Sequence, residues 1–376
     1  MSAGMRVRLI SLAIAVLTIL VLVQATSAAD LTNKELLGKF LFFDTNLSSP
    51  PGQSCASCHD PDFGFADPDH NLPVSQGAIQ IRVGNRNAPT VTYLATAPDF
   101  TYDPDTGASK GGQFWDGRAF DLVEQAKGPF LNPVEMHNPN KKLVIHDIQK
   151  ADYAPLFKKV YGKNIFNNVE NAYNAMADAI AEFEKSPELN RFDSKLDYYL
   201  RVDKSVFTDQ EKLGMEIFQG KGHCLGCHAF PVGSTEPILT AFGYANIGVP
   251  INPDNPFYTT IPSINPDDGK IIDLGLGGFL QTLGLKQKAY EDQYGKMGMP
   301  TVRNIALTAP YFHNGVFNDL HTVVHFFNTR DVTEEHWPSP EVKANVSTVV
   351  GNLGLTETEE EALVAFLMTL TDGYKP

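Results

Sequence analysis

Two copies of one motif decide how this chain folds: Cys55-Ala56-Ser57-Cys58-His59 and Cys224-Leu225-Gly226-Cys227-His228. They contain all four cysteines of the chain. C-x-x-C-H is the attachment signature of c-type haem, because two thiols a turn apart reach both porphyrin vinyl groups and the next histidine lies under the iron. The sequence therefore predicts two covalently bound haem c groups. The predicted thioether residues are Cys55, Cys58, Cys224 and Cys227, and the predicted iron ligands are His59 and His228.

Three other uses of the cysteines explain less of the pattern. Paired C-x-x-C zinc motifs usually lie about 15–20 residues apart, whereas Cys224 follows Cys58 by 166 positions. A redox dithiol would explain the paired cysteines but not the histidine that follows each pair. Disulfides, which are common in exported proteins, account for neither the spacing nor the histidine.

The first residues have the features of a secretory signal peptide. Arg6 and Arg8 precede an apolar run at 9–23, and small residues at 26–29 follow it. The run of about fifteen residues is short for a membrane anchor, which needs roughly 20. We expect cleavage near Ala29 and a periplasmic protein, with a retained anchor as the alternative. No later segment is predicted to cross a membrane.

The chain is acidic, with a formal net charge of -14 over 376 residues. Its content of 43% hydrophobic and 20% charged residues is ordinary for a folded soluble protein and allows two domains. Such a charge disfavours nucleic acid and anionic lipid and would attract a partner with a basic patch. Solubility alone is an equally good explanation of the acidity.

The residues before each haem motif also repeat. Residues 32–42 and 208–218 both read T-x-x-E-x-L-G-x-x-x-F. Thr followed three residues later by Glu is a capping box, which starts a helix, and Thr356 with Glu359 supplies a third. Helix-like patterns at 175–183 and 359–370 close the two halves.

This duplication predicts a mainly α fold of two tandem cytochrome c-like domains, each around one haem, with long loops. After the signal peptide at 1–29, we expect the domains at 30–200 and 201–376, with the division falling within 195–206. The stretch 230–300 is rich in Gly and Pro, and long loops of this kind usually shape a site or an interface.

Several further strings, in their order and spacing, resemble the dihaem cytochrome c peroxidase and MauG family over essentially the whole mature chain. They are RNAPT at 86–90, FWDGR at 114–118, EQA at 124–126, NPVEM at 132–136, RN at 303–304 and LTAPYFH at 307–313.

The resemblance implies that hydrogen peroxide reacts at the first haem while the second haem handles electrons. Carried across by position, Glu135 is the acid/base on the open face of the first haem, and Gln125 and Pro129 line that face. Trp115 lies between the haems. A carboxylate in a mostly apolar pocket can move a proton from one peroxide oxygen to the other.

The resemblance also implies a calcium ion between the domains, held by Asn87, Thr308 and Pro310. Side-chain and backbone carbonyl oxygens suit calcium.

One departure from the family pattern lies after the first haem motif. Family peroxidases carry a histidine there that blocks the iron at rest, and Ala78 stands at its position. Alanine cannot bind iron, so we expect the first haem to be five-coordinate at rest, as in MauG-like members. His70 is a less favoured substitute.

A second departure concerns the sixth ligand of the second haem, which is Met or Tyr in the family, nineteen residues after the calcium-site threonine. That position is Phe327, which has no lone pair to offer. Either this haem is five-coordinate or Met297, Met299 or His325 binds. His313 is expected to order neighbouring groups rather than bind iron.

These features favour a MauG-like enzyme that uses peroxide to oxidise a protein partner at a distance, for example at a tryptophan. An alternative is a cytochrome c peroxidase that removes peroxide with electrons from a small redox protein. A third is a non-catalytic electron carrier, which needs no proton shuttle and leaves Glu135 and Gln125 unexplained.

Overall fold

A computed structural model describes residues 30–259 and 272–376, so the expected signal peptide lies outside the described residues. Within these ranges no helix combines the length and hydrophobicity that a bilayer crossing requires. Helices dominate, and the four strands have two residues each. The helices are α1 (Asn33–Phe43), α2 (Leu122–Leu131), α3 (Lys141–Lys150), α4 (Ala154–Tyr161), α5 (Val169–Glu184), α6 (Lys195–Arg201), α7 (Asp209–Gln219), α8 (Gly275–Thr282), α9 (Gln287–Glu291), α10 (Leu320–Thr329) and α11 (Glu357–Met368). The strands are β1 (Thr101–Tyr102), β2 (Ser109–Lys110), β3 (Tyr244–Ala245) and β4 (Met297–Gly298).

The first half is built on the crossing of α1 and α5. The capping box predicted at Thr32 and Glu35 is present and starts α1. Gly38 lies at the crossing, where a Cβ atom would come within 1.9 Å of the Ala179 carbonyl oxygen. Only glycine permits so close an approach of two helix backbones.

The second half repeats this crossing with α7 and α11. Gly214 takes the place of Gly38, and a Cβ atom there would again lie 1.9 Å from a carbonyl oxygen, that of Ala362. The predicted capping boxes at Thr208 and Thr356 are also present. The three predicted helix starts are therefore confirmed, and the repeated sequence corresponds to a repeated helix pair.

A second duplication was not predicted from the sequence. It relates the loop and helix at 113–131 to those at 311–329, a constant offset of 198 positions. The bridge between Gln113 and Ala119 matches the one between Tyr311 and Phe317. An aspartate caps each helix, because the side chains of Asp121 and Asp319 accept hydrogen bonds from backbone amides three residues later. Helices α2 and α10 are therefore equivalent elements of the two halves.

Two buried hydrophobic clusters form the core. The first contains residues of α1, α2, α3, α4 and α5 and ends at Leu189, and the second begins at Leu196 and contains residues of α6, α7, α10 and α11. Leu196 belongs to α6, so this helix packs with the second cluster. The expected domain limits at 30–200 and 201–376 stay predictions.

The strands form two small antiparallel pairs, β1 with β2 and β3 with β4. In the second pair, Ala245 lies opposite Met297. This pairing brings the segment before Pro300 next to the loop that follows the second cysteine motif.

Candidate active site

The first cysteine motif lies in the wall of a cavity of about 260 Å³, called here the first cavity. A short 3-10 helix at Cys55–Ser57 begins the motif, and the His59 amide donates to the Cys55 carbonyl oxygen at 2.9 Å. Cys55, Cys58 and His59 all line the cavity. The two cysteines form no disulfide, and burial raises the pKa of the Cys58 thiol to about 12. Both thiols are therefore neutral and free for thioether bonds.

The ring of His59 is held by a hydrogen bond at Nδ1. Nδ1 lies 3.2 Å from the Phe65 carbonyl oxygen, which can only accept a hydrogen bond, so Nδ1 carries the proton. Burial lowers the pKa of His59 to about 4, which keeps the ring neutral. Nε2 then keeps its lone pair for a metal, the arrangement that metal-binding histidines usually show.

The second motif lies in the wall of a larger cavity of about 440 Å³, the second cavity, which Cys224, Cys227 and His228 line. His228 Nδ1 lies 3.2 Å from the Leu239 carbonyl oxygen, and burial lowers the pKa of this histidine as well. Each cavity thus combines two unpaired thiols with a neutral histidine whose Nε2 keeps its lone pair. These residues fit a c-type haem in both cavities.

Glu135 lines the first cavity together with Gln125 and Pro129, two residues of α2. Its Oε1 accepts a hydrogen bond of 2.6 Å from Asn132 Nδ2. Burial raises the pKa of Glu135, although Arg118 and the Asn132 amide act to lower it. A carboxyl group with a raised pKa in an apolar cavity can both accept a proton and return it.

Trp115 lines both cavities. Its Nε1 donates to the Asn87 carbonyl oxygen at 2.8 Å, and its own carbonyl oxygen accepts from Gly298 at 2.7 Å. The ring packs edge-on against His313, with 6.4 Å between the ring centres. The indole is therefore fixed between the two halves.

The residues predicted to hold calcium lie close to one another. Asn87, Thr308 and Pro310 all line the second cavity, and the Asn87 amide donates to the His313 carbonyl oxygen at 2.7 Å. The Asn87 side chain donates to the Pro73 carbonyl oxygen at 3.3 Å. Side-chain amide and backbone carbonyl oxygens are ligands that calcium prefers, and a calcium ion held by these three residues stays a prediction.

Neither residue considered for the blocking histidine of the first haem is among those that line the first cavity. Ala78 donates its backbone amide to the Glu135 carbonyl oxygen at 2.7 Å. His70 is exposed and packs on Phe63, with ring centres 5.0 Å apart.

The candidates for the sixth ligand of the second haem separate into two groups. Phe327, Met297 and Met299 line the second cavity. His325 is not among its lining residues, and its two ring nitrogens face Glu360 at 3.0 Å and Glu335 at 3.2 Å.

A buried charge network between the cavities was missed by sequence reasoning. Arg86 binds Asp273 with Nε and Nη2 at 2.6 and 2.7 Å, and Asp116 with Nη1 at 2.7 Å. Asp116 also accepts from Arg118, whose guanidinium lies 3.8 Å over the Phe114 ring. Arg86 and Arg118 belong to the strings RNAPT at 86–90 and FWDGR at 114–118, and their charges were the available signal.

Glu184 was also missed. It lies at the end of α5, lines the first cavity and is only 3% exposed. Its Oε2 has no hydrogen-bond partner within the described residues, and burial raises its pKa to about 8. No local pattern distinguishes this carboxylate from the exposed ones around it.

Two cavities, each with a c-type attachment motif and a neutral histidine, define a dihaem oxidoreductase of the cytochrome c type. Residues 32–205 match the family described as di-haem cytochrome c peroxidase. The methylamine utilization protein MauG of Paracoccus denitrificans (strain Pd 1222) is 38% identical over 359 residues, which are 90% of this chain and 89% of that protein. Cytochrome c551 peroxidase of Nitrosomonas europaea (strain ATCC 19718 / CIP 103999 / KCTC 2705 / NBRC 14298) is 32% identical over 338 residues, covering 89% and 79%.

The solved structures agree with the sequence relatives. The diheme peroxidase BthA from Burkholderia thailandensis E264 superposes with a TM-score of 0.78 at 29% identity and covers 92% of this chain and 87% of its own. The chain belongs to the di-haem cytochrome c peroxidase family. It is a haem peroxidase-type oxidoreductase with two haem cofactors, and the predicted family and mainly α, cytochrome c-like fold are confirmed.

Proposed function

We propose that this protein reacts with hydrogen peroxide in the first cavity and uses the oxidising equivalents to oxidise a protein partner, as a MauG-like enzyme. One observation carries the proposal. The first cavity pairs a histidine that fits haem iron with a buried carboxyl group, and a tryptophan lines both this cavity and the second one. An electron carrier has no use for the carboxyl group.

Haem iron, when bound at His59, supplies electrons for cleavage of the peroxide O–O bond. The chain's own part is the proton. Glu135 takes the proton from one peroxide oxygen and returns it to the other, which leaves as water. Asn132, at 2.6 Å, holds the carboxylate oxygen in place during both transfers. Gln125 and Pro129 narrow the space around the reacting oxygens.

The overall reaction balances with two electrons. Hydrogen peroxide takes two electrons and two protons and becomes two water molecules, and the partner loses the two electrons. Trp115 is the proposed relay, since it lines both cavities. The net charge of -14 favours a partner with a basic docking surface.

The MauG-like reaction is preferred to a reductant-dependent peroxidase because of Ala78. The loop that carries it is hydrogen-bonded to the backbone of Glu135 and offers no imidazole to the first cavity. On this proposal, the first site needs no prior reduction to admit peroxide.

The test is to add one equivalent of peroxide to the fully oxidised holo-protein without reductant. The expected result is a stable state that holds two oxidising equivalents and decays only when an oxidisable protein or small donor is added. Bleaching, together with turnover only after half-reduction, would establish the peroxidase that depends on a small redox protein instead.

Three further features belong to the proposal. The haems are attached through thioether bonds at Cys55, Cys58, Cys224 and Cys227. Calcium is held by Asn87, Thr308 and Pro310 between the halves. The protein is exported to the periplasm. Mass spectrometry of the mature protein tests attachment and export together, because two added haem masses and an N-terminus near Asp30 are expected.

A further inference from the structure

The face of α10 that lines the second cavity is entirely apolar. Leu320, Val323, Val324 and Phe327 follow one another at helical spacing and all line this cavity. Their equivalents in the first cavity, 198 positions earlier, are Leu122, Gln125, Ala126 and Pro129, and these line it in the same way. Because the two helices are equivalent, α10 covers the second haem site as α2 covers the first.

Helix α10 carries two histidines, His321 and His325, and neither is among the residues that line the cavity. His325 is held between Glu360 and Glu335 at 3.0 and 3.2 Å. Its ring also packs against Trp337, with 6.0 Å between ring centres. Reaching an iron would require the loss of all three contacts.

The two methionines that line the cavity belong to one segment, 297–299, which is bonded to the chain at 240–245. Met299 accepts a hydrogen bond from the Thr240 hydroxyl on its carbonyl oxygen, at 2.6 Å. Its backbone amide donates to the Gly243 carbonyl oxygen at 2.9 Å. Met297 lies on β4 opposite Ala245, with its methyl group directed toward Gly275. Both methionines are therefore tied to the chain that follows His228.

Three other side chains that line the second cavity could in principle bind iron: Tyr311, His313 and His223. The Tyr311 hydroxyl donates to the Ile305 carbonyl oxygen at 2.9 Å. His313 Nε2 faces the Glu341 carboxylate at 3.5 Å, on the side where Trp115 lies. His223 directly precedes Cys224 and therefore lies at the edge where that thioether would form.

We propose that the second haem site, opposite His228, is open to a small neutral diatomic ligand such as carbon monoxide or nitric oxide, bound in the apolar pocket that α10 covers. The polarity and hydrogen-bond donors of a haem pocket decide which ligands it takes. Carbon monoxide and nitric oxide bind without a hydrogen-bond donor, and the α10 face offers none.

The same composition disfavours peroxide at this site. Neither α10 nor the residues that follow it at 330–336 contribute a carboxyl group to the lining of the second cavity. Gln125 is replaced by Val323. The site therefore lacks a group on this wall that could move a proton between peroxide oxygens.

The experiment is a carbon monoxide titration of the dithionite-reduced holo-protein, read from the Soret absorbance. We expect two molecules of carbon monoxide per chain. Phe327→Tyr, which offers an oxygen ligand at the end of the α10 face, is expected to reduce this number by one and to convert one ferric iron from high-spin to low-spin. His325→Gln, Met297→Leu and Met299→Leu are matched controls and should leave the number at two.

The outcomes separate this inference from the proposed function. One molecule per chain, unaffected by Phe327→Tyr, would mean that another ligand already fills the second site and would overturn the inference. If only one molecule of carbon monoxide binds and Phe327→Tyr abolishes that binding, the second site is open and the inference is supported. The first haem is then the blocked one, which would contradict the proposed peroxide site. If the variant does not fold, electron paramagnetic resonance of the unaltered protein decides. A low-spin signal from half of the iron, in a protein whose oxidised form reacts with peroxide, would place the block at the second haem and overturn the inference.

Discussion

The two haem cavities are made from equivalent parts, yet their walls differ in chemistry. Where α2 presents Gln125 and Pro129 to the first cavity, α10 presents Val323 and Phe327 to the second. The C-terminal ends of α5 and α11 also differ in polarity, with the polar residue again in the first half. Glu184 follows Phe183 in the first half, and the equivalent residue, 183 positions later, is Leu367.

This difference shows which parts of a duplicated haem domain carry its function. The capping boxes and the glycines at the helix crossings are kept in both halves, because they fix the backbone. The side chains on the cavity walls are free to change, since replacing them leaves the crossing intact. At equivalent wall positions the first cavity carries Gln125 and Glu184, where the second carries Val323 and Leu367.

The largest expected effect comes from removing the proton shuttle of the first cavity. Glu135→Gln keeps the size of the side chain but cannot accept a proton. General acid–base groups typically contribute about 10²–10⁴-fold, so the rate of peroxide consumption should fall by that factor in stopped-flow measurements. Glu124→Gln is the control, because Glu124 is exposed and pairs with Lys127. An unchanged rate in Glu135→Gln would favour the electron carrier.

The next effect tests the charge network that joins the two cavities. Arg86→Met leaves Asp273 buried without its arginine partner and leaves Asp116 with Arg118 alone. Breaking a buried ion pair in this way costs about 3–5 kcal/mol, which should appear as a lower free energy of unfolding in urea. Arg191→Met is the control, because the exposed pair of Arg191 with Asp193 should contribute at most about 1 kcal/mol. A loss as small as in the control would show that Arg86 does not hold the halves together.

A third prediction uses the carboxyl group that has no counterpart in the second cavity. The folded-state pKa of Glu184 is about 8, above its ordinary 4.5, so the unfolded chain releases this proton first as the pH rises. The stability of the protein should therefore fall between these two pH values. From pH 6 to pH 9 the loss is about 3 kcal/mol relative to Glu184→Gln, which cannot ionise.

The measurement is urea unfolding of both proteins at several pH values in this window. Glu182→Gln is the control on the same helix, because Glu182 is partly exposed and pairs with Lys34. It should follow the unaltered protein. Parallel curves for all three proteins would mean that Glu184 ionises normally.

Much of the fold could be predicted because its signals are local. A capping box spans four residues, and the cysteine motif spans five, so both can be recognised in the sequence without knowledge of the fold. The second duplication was not predicted because few residues are identical between its two copies. Gly117, Asp121 and Leu122 match Gly315, Asp319 and Leu320, but the intervening side chains differ.

The site was predicted unevenly for the same reason. The residues carried over from the family resemblance, Glu135, Gln125, Pro129 and Trp115, all line the first cavity. The pairing of Arg86 with Asp273 joins residues 187 positions apart and has no local pattern. The sequence also could not separate the candidate ligands Met297, Met299 and His325, because that choice depends on which wall each side chain occupies.

The smallest effect concerns the residue that holds Glu135. The Asn132 amide donates to Glu135 Oε1 at 2.6 Å and lowers the pKa of that carboxyl group. Asn132→Ala should therefore raise the pKa of Glu135 further, so that less carboxylate is present at neutral pH. Since a hydrogen bond to a charged group contributes about 1.5–3 kcal/mol, peroxide consumption at pH 7 should slow, by no more than about 10–100-fold, and recover as the pH rises.

The pH profile distinguishes this positioning role from a merely structural one. A structural defect would lower the rate equally at every pH and leave the midpoint of the profile in place. Asn132→Asp should move the midpoint in the same direction and further, because a second carboxylate beside Glu135 opposes its ionisation. The second cavity provides the internal control, since its α10 wall holds no carboxyl group. Carbon monoxide binding there should not respond to either variant.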